Sequence, residues 1–399
     1  MSDVAHLEDG LRVVSLYEGF FTGGARMLHT AVVAGLDATT RQRHAVLSLT
    51  DRALREATTQ RAYDDASHRR LTSAGVPITT LDRISAQPLS VAHLRTIARV
   101  LDAADVVLSL KEQPLAALAR IGGGGRPVIT CLHRSDPEHQ GSALTDLVSL
   151  VDQGVVTSAI CCAHSTQAAY HAATNIPLER LPVVPNGVDL HRFRPAADQR
   201  AAVRRELGVV GDAPVVLLSA RFDPMKDVPL FLRASAEFAR AYPAAHLVLC
   251  GAGMSSSNRG LTDLIAEMLA GWDGACRHVH LLGIRDDMPR LYNATDLVVL
   301  TSAYGEAAPL SLLEGMACGA VPVTTDVGDA ALMVGDPRLV VGREPAAVAL
   351  AWQAAFELRE EHAERILRHR QRLSDQRCFD AYAALITAQI EPGRLRLAG

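Results

Sequence analysis

Two carboxylates, Glu306 and Glu314, interrupt "YGEAAPLSLLEGMACG" (304–319), a stretch otherwise made mostly of small and apolar residues. The preceding "DLVVLTS" (296–302) reads as a strand and "AYGEAA" as a loop. Pro309 suits a first helical position. Leu310, Leu313 and Ala317 mark a buried helix face, and Gly319 suits its end. Glu306 is therefore expected on a loop at the strand's carboxyl end, and Glu314 just over one turn into the helix. Between them lies a helix N-terminus, whose free N–H groups and positive dipole character suit a phosphate. Carboxylates on either side would accept hydrogen bonds from hydroxyls. A ligand with hydroxyls at both ends and phosphates in the middle fits this pattern. A capping Glu306 with a solvated Glu314 fits it as well.

The second group is "SARFDPMKD" (219–227), where Arg221 follows a strand and Lys226 stands in the loop. A leaving diphosphate needs positive charge already in place when its bond breaks. Arg holds such a group through two parallel bonds, and Lys acts as a point charge. Two surface cations are the ordinary alternative. Against it, the chain has 40 basic residues and only two are lysines, Lys111 and Lys226. Where Arg serves nearly everywhere, a lysine stands out. The third group is "FTGGARM", with Gly23 and Gly24 between a strand and a helix. Glycines there let backbone N–H groups approach a phosphate, although a tight turn explains them too. "GAG" (251–253) is a weaker signal that lacks the dinucleotide fingerprint. A nucleotide sugar is a ligand that fits the first group, with the structural alternatives open for each.

The elements that must position these residues follow a βα rhythm. Strands are expected at 11–17, 44–50, 105–110, 127–133 and 157–164, with a helix after the glycines at 22–36. Ser165 suits a helix N-cap. The β-branched runs are near-continuous, as in a parallel sheet covered on both faces. "LPVVPNGVDLHRFRP" (181–195) breaks the rhythm with three prolines and an Asn-Gly pair, and reads as an ordered linker. The alternation then restarts, with a strand and loop at 213–227, strands at 245–253, 278–283, 296–302 and 320–325, and a helix at 228–242. The α/β fold class expected is two Rossmann-like, doubly wound parallel-sheet domains facing a central cleft, with ligands at the carboxyl ends of the strands. The boundaries expected are 1–184, a linker at 185–195, 196–374, and a final helix in 375–399.

Composition narrows the class. At 399 residues two domains are expected, and 48% hydrophobic with 21% charged residues describes a globular chain. No apolar run reaches a membrane span. The N-terminus has three acids before its first apolar run and does not read as a signal peptide. Seven scattered cysteines suit a reduced, cytoplasmic protein. Residues 1–190 hold 17 basic and 19 acidic side chains, leaving 23 and 25 of the 40 and 44 for the rest. Neither half is basic, which argues against nucleic acid as a partner and lends no support to peripheral membrane contact.

On these residues the chain resembles glycosyltransferase family 4, the retaining, nucleotide-sugar-dependent enzymes of the GT-B fold. "GEAAPLSLLEGMACGAVPVTTDVGD" resembles the family's E-x7-E block and "SARFDPMKD" its diphosphate loop. "VVPNGVDLHRFRP" resembles its inter-domain segment and "GGARMLH" its N-terminal glycine loop. The resemblance implies catalytic roles for Glu306, Arg221, Lys226 and His133. Glu306 would hold donor-sugar hydroxyls near the reacting carbon, and Glu314 the ribose hydroxyls. Arg221 and Lys226 would hold the diphosphate, approached from the other domain by Gly24 and Gly23. His133, at the end of "PVITCLH", matches a histidine that lies near the donor sugar in that family; alone it suits a structural histidine equally. Ala307, Ala308, Leu310 and Ser311 complete the implied donor-binding set. The first domain would hold the acceptor, and the final helix would cross back onto it. No metal or other cofactor is expected, since no Asp-x-Asp motif is seen.

Two departures from the family pattern stand out. Ala307 occupies a position often held by Gly, where a left-handed backbone would be strained. Asp227 follows the lysine where Gly is frequent, and would weaken Lys226 or point away from it. "HRSDPEH" (133–139) has metal-like spacing that Pro137 disturbs. Lys111 ends a strand and could touch an acidic acceptor. Beside the transferase reading stand two others: a sugar-nucleotide epimerase on the same fold, and a non-catalytic nucleotide-sugar binder. A phosphorylase would need a lysine for pyridoxal phosphate, and two lysines make that a poor fit. Donor consumption only in the presence of acceptor would separate the transferase from both.

Overall fold

The computed structural model describes residues 10–21, 23–55, 58–85 and 87–390. The reading of the first nine residues as no leader lies outside them, as does the end of the chain beyond residue 390. The described chain forms two units, residues 1–186 with 376–399, and residues 187–375.

The first unit holds one six-stranded sheet in the order β5-β2-β1-β6-β7-β8. Its strands are β1 (Leu11–Tyr17), β2 (Gln42–Ser48), β5 (Ile78–Thr80), β6 (Val106–Leu110), β7 (Val128–Leu132) and β8 (Val156–Cys161). All pairings are parallel. β6 and β7 are buried along their whole length, which is why their apolar runs do not alternate. A short antiparallel hairpin, β3 (Arg52–Arg55) with β4 (Thr58–Arg61), stands apart from the sheet. The final helix, Gln376–Ala388, belongs to this unit, with Phe379 and Tyr382 buried. Phe379 lies so close to Gly35 that a Cβ there would come within 2.6 Å of the ring.

The second unit repeats the plan in the order β11-β10-β9-β12-β13-β14. Its strands are β9 (Val215–Ser219), β10 (His246–Cys250), β11 (Val279–Leu281), β12 (Leu297–Leu300), β13 (Val321–Thr325) and β14 (Val340–Val341). These too pair in parallel throughout. Residues 187–195, expected as linker, are built into this unit. The ring of Phe193 is buried 6.1 Å from that of Tyr292. The Arg370 guanidinium donates to the carbonyls of Leu190 and Phe193. The amide of Val188 donates to Leu373 O at 2.8 Å, so the entering and leaving strands of the unit lie side by side.

Each sheet runs outward in both directions from its first strand. The order reverses between β1 and β6 in one unit and between β9 and β12 in the other, and loops from both sides of such a point form a ligand crevice. The glycines follow β1. Arg221 and Lys226 follow β9, and Glu306 follows β12.

Candidate active site

In the second unit three loops are tied together by backbone and hydroxyl bonds. The Ala303 amide donates to Met225 O at 2.8 Å, and the Thr301 hydroxyl donates to Lys226 O at 3.0 Å. The Thr325 hydroxyl donates to Ser302 O at 2.7 Å. This lacing brings Lys226 and Glu306, 80 residues apart, into an ion pair through Lys226 Nζ and Glu306 Oε1. Ser302 Oγ donates to the same carboxylate oxygen at 2.5 Å. Arg221 stays more open, its side chain 40% exposed and 3.4 Å from Asp223.

The helix of the second carboxylate spans Leu310–Cys318, with Pro309 as its N-cap rather than its first residue. Gly319 closes it at φ 93°. Gly315 lets it lie close on β12, since a Cβ there would sit 2.6 Å from Val298. Leu312, Leu313 and Gly315–Cys318 are buried, more than the single face expected. Ala308, Leu310, Ser311 and Glu314 are the partly exposed exceptions. Positions 310, 311 and 314 share one helical face, so the accessible face carries the helix N-terminus and Glu314 together. Burial pushes the Glu314 carboxyl up to about 7, against the opposing pull of Arg192. The buried Tyr292 hydroxyl neighbours Glu314 and Ser219 without the geometry of a hydrogen bond to either.

The strain expected at Ala307 is absent. Left-handed backbone falls one residue before the carboxylate, on Gly305 at φ 71°, and Ala307 has no positive φ. What shapes this loop is Gly328, near the end of the same block of sequence. At φ +63° a Cβ on Gly328 would lie 2.4 Å from Glu306 O and 2.7 Å from Ala307 O. The Asp329 amide then donates to Ala307 O at 2.8 Å. Gly328→Ala should push the Glu306 loop out of place. We expect a loss of about 1–3 kcal/mol of stability from the strained backbone, read as a lower melting temperature, with turnover falling alongside.

Asp227 takes the left-handed conformation that Gly favours, at φ 45°. Its carboxylate points away from Lys226. One oxygen accepts from the Leu230 amide at 3.1 Å, capping the helix Val228–Ala241, and the other accepts from Arg343 at 2.6 Å. Gly251 is also explained by packing, because a Cβ there would meet Ala220 O at 2.1 Å.

In the first unit Gly23 is the N-cap of the helix Gly24–Thr39, with no side-chain cap, and a Cβ at Gly23 would meet nothing within 4 Å. Internal packing therefore does not demand glycine there. His133 follows β7 with its Nε2 buried and unpartnered. Burial, then the charge of Lys111, pushes its imidazole down to about 3, so it is neutral at pH 7. Lys111 follows β6 with a left-handed backbone, φ 70°, and its carbonyl accepts from Ser109 at 2.9 Å and Thr130 at 3.1 Å. Asp136 pairs with Arg134 at 2.6 Å and with His139 at 3.3 Å. Ser165 is not a cap: the helix His164–Thr174 takes Ala163 as its N-cap. None of the seven cysteines is bridged, and among the described residues no helix is long and apolar enough to cross a membrane.

Comparison with known proteins points the same way. The glycosyl transferases group 1 family profile matches residues 199–372. Curated relatives include a D-inositol 3-phosphate glycosyltransferase of Geodermatophilus obscurus, 36% identical over 52% of this chain and 47% of its own. Another, from Segniliparus rotundus, is 32% identical over 48% of this chain and 40% of its own. The chain thus spans less than half the length of these relatives. Among solved structures, Anabaena Alr3699/HepE in complex with UDP superposes with a TM-score of 0.77 at 21% identity, over 95% of this chain and all of that one. WaaG, a glycosyltransferase involved in lipopolysaccharide biosynthesis, superposes at 0.69 with 16% identity, over 94% of this chain and all of that one. Residues 199–372 thus carry a glycosyl transferases group 1 domain, and the chain has the GT-B fold of these solved structures.

Proposed function

We propose that the protein is a retaining, metal-independent glycosyltransferase that moves a sugar from a nucleoside-diphosphate sugar to an acceptor hydroxyl. The observation that carries this reading is the Lys226–Glu306 pair beyond the carboxyl ends of β9 and β12, the two strands from which the loop of Arg221 and the helix of Glu314 also lead. The diphosphate lies at that helix start, near Ser311 and the backbone of 308–310, with Lys226 and Arg221 as its cations. Glu306 accepts hydroxyls of the sugar, and Glu314 those of the ribose. In the first unit, Gly23 and Gly24 suit contact with a phosphate, and neutral His133 has a ring nitrogen to offer. The unbridged cysteines suit a cytoplasmic setting.

The test is nucleoside diphosphate release from a panel of nucleotide sugars, including UDP-glucose, with and without acceptors. D-inositol 3-phosphate belongs among them, because curated relatives carry it in their name. Release that depends on acceptor supports a transferase. Isomerised donor without release would make it an epimerase, and no consumption of any donor would leave a binding protein. Because Lys226, Arg221 and the helix start supply the positive charge that a leaving diphosphate needs, activity should survive EDTA. Complete loss with rescue by manganese would overturn metal independence.

A further inference from the structure

The second unit pairs two of its own key charges with each other. Lys226 donates to Glu306 Oε1, and Ser302 donates to the same oxygen at 2.5 Å. The two charged side chains are only 14% and 8% exposed. Arg221, by contrast, is 40% exposed beside Asp223. In the proposed function Lys226 serves the diphosphate and Glu306 the sugar, so each must partly give up the other.

We propose, resting on that reading of the donor site, that the Lys226–Glu306 pair makes the site discriminate between a nucleotide sugar and a bare nucleoside diphosphate, and drives release of the latter after transfer. A complete donor brings sugar hydroxyls that donate to Glu306 and replace the ammonium it gives up. Lys226 is then released to the diphosphate. A bare diphosphate brings no such donors. If Lys226 turns to it, Glu306 is left as a buried charge without its cation, which is unfavourable. If Lys226 stays, the diphosphate meets a neutralised lysine with a carboxylate beside it. In both cases the product binds less well than its phosphates alone would allow. Once the sugar has gone, Lys226 returns to Glu306 and the diphosphate leaves. Glu306 therefore has a second role, in product release, of opposite sign to its role in transfer.

Calorimetric titration of the full chain with UDP and with inorganic pyrophosphate tests this. Glu306→Gln keeps the side chain's shape and frees the ammonium. It should bind both probes about tenfold more tightly, or better, on the scale of a hydrogen bond to a charged group. In a Lys226→Met background the same change should bring little of that gain, and the double variant leaves no buried charge unpaired. Equal or weaker binding by Glu306→Gln would overturn the proposal. So would a full gain that persists without Lys226, since removal of any nearby negative charge would then suffice. Wild-type protein that binds neither probe, nor ADP or GDP, would instead remove the donor-site reading and this inference with it.

Discussion

Glu306→Gln is expected to lower kcat by about 2–4 kcal/mol, a loss of roughly thirty- to a thousandfold. As the bond from the anomeric carbon to phosphate breaks, positive charge grows on the sugar ring. A carboxylate held beside that ring interacts more strongly with the transition state than with the bound donor. Glu306 is suited to this because the protein's own groups hold it in place. It is 6% exposed, bonded to Ser302 and Lys226, and its loop is clamped by Gly328. Gln keeps the size and the acceptor oxygen but removes the charge. Donor KM should change less than kcat, because the hydroxyl contacts survive. Unchanged kcat would show that Glu306 does not face the reacting carbon.

Glu314→Gln should act on binding, and with the opposite effect on stability. Its carboxyl stands at about 7, against an ordinary 4.5, because the fold desolvates it. The sign follows from linkage. A carboxyl whose folded pKa is raised binds its proton more tightly in the folded state. Its neutral form is fully accommodated below the ordinary pKa, and stability is lost as pH rises through about 7. Glu314→Gln should therefore stabilise the empty protein at pH 8, by roughly 1–3 kcal/mol after allowance for its partial exposure. In the proposed donor site, ribose hydroxyls donate more strongly to the ionised form than to a neutral acceptor. Removing it should raise the donor KM by about 1–3 kcal/mol, the scale of a charged hydrogen bond, with kcat little changed. In the wild type the donor KM should rise as pH falls below about 7. Melting curves at pH 5 and 8, with donor kinetics over the same range, check both effects. A variant destabilised at pH 8, or a wild-type KM flat across this range, would contradict the assignment.

Much of this was legible in the sequence because it rests on local pattern. Buried parallel strands announce themselves as β-branched runs, and β1 falls on the residues expected. Pro309 and Gly319 bracket the Glu314 helix to within a residue. What was not legible depends on contacts between distant segments. The pairing of Lys226 with Glu306 spans 80 residues and is made by loop-to-loop bonds that leave no periodic trace. Gly328 is required only because it touches the carbonyls of Glu306 and Ala307. Asp227 raised a fair question that only a three-dimensional partner, Arg343, could answer. Ala307 was misjudged because the left-handed turn falls on Gly305 instead. β14, two residues long, and the hairpin at 52–61 are too short to show as patterns.

The most direct test is calorimetric titration of a nucleotide-sugar panel onto the wild type and onto Arg221→Met. Arg221 is the open cation of the proposed diphosphate site and has no place in the core, so the variant should fold normally. The account predicts that at least one nucleoside-diphosphate sugar binds the wild type, and that Arg221→Met weakens it by about tenfold or more through loss of charged hydrogen bonds. Binding of the same sugar unaffected by Arg221→Met, or no binding by any member of the panel, would contradict it.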